Sequence, residues 1–269
     1  MPALLLEASE LKSLLLEQES PGLILVDLGA EERYLGQHIP GAKLVTPALT
    51  QAGPPIPGFC PSIEQVTHIM RSIGLTKDSH VVVYDDEGGG WAGRFIWLLD
   101  EIGHTNYSYL NGGIHAWASE GYSLESGAAR SEQSSIEISF NGQHSVEIKD
   151  IIPMLSSGEI QIWDARSPME YRGESVYAAR GGHIPGALNY EWTNAMDRNN
   201  SLRLKPLSVI ETELASIGIT KDKPTITHCQ THHRSGLTYL IAKLLGFTSI
   251  KAYPGSWGEW GNHPDTPIN

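Results

Sequence analysis

The chain has 269 residues, 40% hydrophobic and 19% charged, with a formal net charge of −12. That balance fits a globular rather than a disordered chain, of one large or two ordinary domains, and it argues against nucleic acid as a partner. No apolar run approaches the roughly 20 residues of a membrane span, and two cysteines, Cys60 and Cys229, are too few for a disulfide scaffold.

Residues 1–20 lack a basic leader and carry four glutamates, so they read as an amphipathic helix rather than a signal peptide. With no targeting signal and no disulfide framework, the expected compartment is the cytoplasm. A short buried-type strand (Ile24–Asp27) follows, then a His-Ile-Pro-Gly-Ala motif at His38–Ala42. Cys60 lies in a Pro/Gly loop without basic neighbours and reads as a bystander. After Ile73-Gly-Leu-Thr-Lys-Asp78 come a second strand (Val81–Asp85), a glycine-rich turn and a helical pattern to Gly103. A third strand and Leu110-Asn-Gly-Gly-Ile-His-Ala-Trp117 close the first half.

The same skeleton then returns. Residues 162–190 repeat 24–45 with a second motif at His183–Ala187, preceded by an extra segment, Glu174–Gly181. Ile217–Asp222 repeats Ile73–Asp78, residues 224–246 align without gaps on 81–103, and Tyr253–Trp260 repeats Leu110–Trp117. Collinear matches of this extent mark a duplicated domain. Strands alternating with helices predict, in each copy, a parallel sheet covered by helices on both faces. The polar, small-residue stretch between the copies reads as a linker, with Ile136–Phe140 able to lie extended against a domain. The division expected is a first domain over 1–124, a linker over 125–145 and a second domain over 146–269.

Ligands bind at the carboxyl ends of strands in such sheets, and Cys229 ends Thr225–His228 there, followed by Gln230-Thr231-His232-His233-Arg234-Ser235. A cysteine on a strand-to-helix turn faces backbone N–H groups and a helix N-terminus, which favour thiolate. Arg234 and three histidines make the loop electropositive. The gapless alignment puts Asp86 opposite Cys229, so one copy is expected to be active and the other a degenerate wall of the cleft.

These features strongly resemble the tandem-domain rhodaneses, the thiosulfate:cyanide sulfurtransferases. The resemblance rests on the doubled domain, on Asp164, Arg166, Glu170, Tyr171 and Gly173, on both His-Ile-Pro-Gly-Ala motifs, and on the closing Gly255–Trp260. The Cys-Gln-Thr-His-His-Arg-Ser loop resembles that of one bacterial subgroup. The resemblance implies double displacement: Cys229 takes the outer sulfur of thiosulfate as a persulfide, and cyanide or another thiophile removes it. It implies no metal and no organic cofactor. The partners it implies are a small anionic sulfur donor and a thiophilic acceptor, which includes an acceptor protein; the two fused halves suit a monomer, and the acidic charge and lack of a long apolar run suit neither nucleic acid nor membrane as a partner. Substrate contacts fall to Arg234 and to the loop residues Gln230, Thr231, His232, His233 and Ser235. Gln230 and Thr231 stand where many thiosulfate enzymes of the family carry cations, which leans recognition onto Arg234.

Competing readings are weaker. His228, His232 and His233 are packed too closely for the paired spacing of structural zinc. Cysteine phosphatases of this fold need a loop one residue longer than the four residues between Cys229 and Arg234. Asp164 and Arg166 read as a structural ion pair, and the repeated His-Ile-Pro-Gly-Ala as a turn. Trp192 and Trp257 are candidates to line a pocket, whereas the counterpart of Trp260, Trp117, points to core packing.

Overall fold

A computed structural model describes residues 2–16, 22–129 and 132–269. The first half builds a five-stranded sheet in the spatial order Leu5–Leu6, Tyr107–Leu110, His80–Tyr84, Leu23–Asp27, Lys43–Leu44. The second builds Ile250–Ala252, Thr225–His228, Gln161–Asp164, Ala187–Asn189, and every pairing in both sheets is parallel. The duplication reaches the sheet edge: Ser145 bridges Ala252 in parallel where Leu5 pairs with Tyr109. The expected N-terminal helix is shorter than the sequence pattern suggested. It covers Ala8–Leu16, because Leu5–Leu6 joins the sheet first; residues 17–20 lie outside the described residues.

Helices Gly90–Glu101 and Arg234–Leu244 follow the central strands and pack on each other at the seam. Their backbones meet through glycine. A Cβ on Gly93 would strike the Gly236 carbonyl, and a Cβ on Gly236 would strike Gly90 O and Arg94 N. One hydrophobic cluster runs through the contact, joining Phe95, Leu98 and Leu99 to Leu237, Leu240 and Ile241.

The repeated His-Ile-Pro-Gly-Ala motif has one role in both halves. The tyrosine hydroxyl donates to the motif's alanine carbonyl (Tyr34 to Ala42 and Tyr171 to Ala187, both 2.7 Å), and the histidine ring stacks on that tyrosine. Gly41 and Gly186 sit at φ +79° and +78°, which glycine adopts without a Cβ clash. The motif is a strand-entry turn. Between the halves the described residues run without helix or strand along the first sheet's helices. Ser134 N donates to Arg71 O, Arg71 Nε to Ile136 O and Asn141 N to Glu101 O, with Ile136 and Ile138 tucked against the core. Among the described residues no helix is long and apolar enough to cross a membrane.

Candidate active site

Strand register fixes which residues correspond between the halves, and it corrects one sequence expectation. Asp27 lies opposite Tyr84 and Asp164 opposite His228. Beyond them, Asp85 O accepts from Ile114 N and Cys229 O from Trp257 N. The counterpart of Cys229 is therefore Asp85, not Asp86. The gapless alignment fails because the first loop holds one extra residue between strand and helix, while the helices stay in step at Gly93 and Gly236. Asp86 instead faces outward, 3.3 Å from Arg33. Asp85 is buried, and its own carboxylate fills the turn: Oδ1 accepts from the N–H groups of Glu87, Gly88 and Gly89, and Oδ2 from Ala92 N (2.8–3.1 Å).

In the second half the turn surrounds a sulfur. Cys229 is fully buried. Burial pushes its thiol up, but the Arg234 charge, the Ser235 hydroxyl and the N–H groups of Ser235 and Thr231 outweigh that and bring it below an ordinary thiol. His232 takes the left-handed backbone (φ +55°) that turns the loop back into the helix. Its Nδ1 lies 2.8 Å from Ser235 Oγ. A hydroxyl has one proton, so when Ser235 donates to the thiolate, His232 must carry its own proton on Nδ1. Two backbone bonds clamp the loop from the closing helix: Gly258 N to Gln230 O, and Trp257 N to Cys229 O.

The sequence pattern suggested that three histidines make the loop electropositive; burial removes His228 and His232 from that role. Burial holds His228 below its ordinary value, against the opposing pull of Asp164, 3.5 Å away. His232 lies further down still, through burial and then the neighbouring Arg94 cation. His233 stacks on Trp91 (4.0 Å), meets Trp192 edge-on, and sits 2.8 Å from Glu87 Oε2 of the first half. Among the described residues no three His, Cys, Asp or Glu side chains converge as a metal-binding group.

Arg234 opens the helix and is partly exposed. Both its Nη atoms donate to Glu170 (2.6 and 2.7 Å), a bidentate pair. Glu170 is itself fixed in a capping box with Ser167 at the helix Pro168–Tyr171. Arg234 thus reaches the cleft already paired, and only part of its donor capacity faces a ligand. Gln230 turns away from the sulfur: Nε2 donates to Tyr177 O in the extra segment, where Val176 and Tyr177 stand exposed. Asp164 and Arg166 form a buried ion pair. Arg166 also lies over Trp257, whose Nε1 donates to Arg180 O, and Trp260 is core.

One cation at the site was not legible in the loop. Arg94, from the first half's seam helix, donates from Nη1 to the carbonyls of Thr231 (3.4 Å) and His232 (3.3 Å). It lies 137 residues from Thr231 in sequence and carries no motif that would have marked it.

This is the architecture of a duplicated sulfur-handling domain with one cysteine turn intact, and the chain belongs to the rhodanese-like family. A sequence profile of the rhodanese-like domain matches residues 7–120 and 147–263. The chain is 51% identical over 266 residues to a thiosulfate sulfurtransferase of Azotobacter vinelandii, covering 98% of this chain and 96% of the relative. It is 48% identical to one of Pseudomonas aeruginosa, covering 93% and 92%. A 3-mercaptopyruvate sulfurtransferase of Escherichia coli is more distant, at 31% over 90% of this chain and 86% of its own. The crystal structure of the E. coli protein SseA, described with the 3-mercaptopyruvate sulfotransferases, superposes with a TM-score of 0.82 at 27% identity, covering 95% of this chain and 99% of that one.

Proposed function

We propose that the protein is a thiosulfate sulfurtransferase working by double displacement on Cys229. The observation that carries this reading is a fully buried cysteine whose thiol is nonetheless held low by a closed turn of N–H groups, a hydroxyl and Arg234. The thiolate attacks the outer sulfur of thiosulfate. The sulfur–sulfur bond of the donor breaks, sulfite leaves with the electron pair, and the new bond makes a Cys229 persulfide. Cyanide or another thiophile then attacks the outer sulfur of that persulfide and restores the thiolate. The same N–H groups serve thiolate and persulfide anion, so the intermediate is stabilised by groups already in place. Arg234 draws the dianionic donor in, Thr231 and His233 line its approach, and the Ser235 hydroxyl meets the sulfur.

Donor choice follows from the near relatives named for thiosulfate. Intact mass spectrometry after thiosulfate, and again after cyanide, tests the chemistry. One sulfur atom should appear and then be lost, and a Cys229→Ser variant should show neither change. A native protein that gains no sulfur from thiosulfate but loads from mercaptopyruvate would overturn the donor assignment.

A further inference from the structure

We propose that Arg94, from the half without the cysteine, is a positioning residue for the Cys229 turn: it grips the turn's carbonyls from below and supplies the buried sulfur anion with a countercharge. The inference rests on the reading of Cys229 as the sulfur carrier.

Arg94 is fully buried; its guanidinium lies 5.3 Å from the centre of the Trp97 ring, and among the described residues its hydrogen-bond partners are all carbonyls. Nε and Nη2 donate to Thr50 O (2.9 and 2.6 Å), Nη2 to Phe59 O and Nη1 to Gly58 O (both 3.0 Å), and Nη1 reaches Thr231 O and His232 O. Among the described residues no carboxylate pairs with it. A buried guanidinium without an acid is costly unless an anion sits nearby. Two thiols are close enough to interact with its charge. Burial pushes Cys60 up to about 12, so that thiol stays neutral, whereas the Cys229 thiol is held below its ordinary value.

The grip falls on the two peptides that follow Thr231, so it fixes the path of the turn between the N–H groups of Thr231 and Ser235 that reach the sulfur.

The duplication supplies an internal control. Gly93 and Gly236 correspond, so Arg94 corresponds to Leu237. Each contacts the other half's turn: Arg94 the Thr231–His232 peptides, and the Leu237 methyl the position of Gly89. The turn built on cysteine has a cation beneath it, and the turn already holding the Asp85 carboxylate has a hydrocarbon.

The test reads Cys229 ionisation through the pH dependence of its alkylation by iodoacetamide, located by peptide mapping. The other titratable groups facing the site are Arg234 with Glu170, His233 with Glu87, and the neutral His228 and His232. Arg94→Met should raise the ionisation midpoint by about one pH unit, slowing alkylation about tenfold at pH values below the native midpoint. Arg94→Lys should recover part of that. A folded Arg94→Met protein with the native midpoint overturns the proposal. Should Arg94→Met not fold, the native protein decides. The 15N resonances of the Arg94 guanidinium should titrate with the Cys229 midpoint and lose that step in Cys229→Ser; resonances that do not move overturn the proposal. Alkylation needs no sulfur donor, so failure of thiosulfate to load Cys229 would count against the sulfurtransferase reading and leave the Arg94 result separately readable.

Discussion

Asp85 and Cys229 occupy one position in two copies of a fold, and the turn that surrounds a sulfur in one copy is filled by a carboxylate in the other. Four N–H groups donate to Asp85, so the first turn is satisfied and closed. Asp85→Ala would leave those donors buried without an acceptor. We expect it to lower unfolding stability by at least about 2 kcal/mol in urea titrations, since each orphaned donor costs about 1–3 kcal/mol. Asp85→Cys should not create a second sulfur carrier, because Trp91 and Ala92 stand where Arg234 and Ser235 stand. Mass spectrometry should still find one sulfur per chain.

Arg234 is held in a planar, two-point contact with Glu170. Arg234→Lys keeps the charge near Cys229 but loses the fork that orients it. The KM for thiosulfate should rise about tenfold, or about 1.4 kcal/mol, while the ionisation of Cys229 stays near its native midpoint. Arg234→Gln should move both. Steady-state kinetics beside the alkylation profile separates the two effects.

The buried imidazoles set the acid limit of stability. The folded protein holds His228 and His232 below the ordinary histidine value, so on unfolding each takes up a proton once the pH falls below about 6.5. The unfolded state then binds more protons, and stability declines as the pH drops. The slope is about 1.4 kcal/mol per pH unit for each such histidine. His232→Asn tolerates the left-handed backbone and cannot protonate. Chemical denaturation from pH 7 to pH 5 should show a shallower decline in that variant by about one proton's share.

The glycine contact at the seam leaves no room for a methyl group. Gly236→Ala would meet Arg94 N and Gly90 O at 2.5 Å, forcing the seam helices apart. We expect the unfolding free energy from urea titration to fall by about 1–3 kcal/mol, as for other overpacked sites, with sulfur loading by thiosulfate slowed in the same variant.

Much of this molecule was legible in its sequence because the informative residues repeat. The paired His-Ile-Pro-Gly-Ala motifs, the strand patterns and the lone loop cysteine gave the duplicated α/β architecture and the place of the site. What escaped was whatever depends on register or on the other half. One extra residue in the first turn moved the cysteine's counterpart from Asp86 to Asp85, and only strand pairing reveals it, since the helix pattern resumes in phase. The histidines looked cationic because exposure is not written in a motif; burial makes two of them neutral. Arg94 left no trace because its hydrogen-bond partners are main-chain carbonyls, which every residue possesses. Glu170 was visible as a family position, but its hold on Arg234 crosses 64 residues.

Because Arg94 meets the turn only through main-chain oxygens, nothing in that contact depends on which side chains the turn displays. Gln230 and Thr231 can be exchanged for cations or for small residues without disturbing the floor on which they stand. Divergence of donor preference is thereby uncoupled from maintenance of the sulfur cradle: new specificities can be written on the upper surface of the turn while the copy that lost its cysteine keeps the lower surface constant.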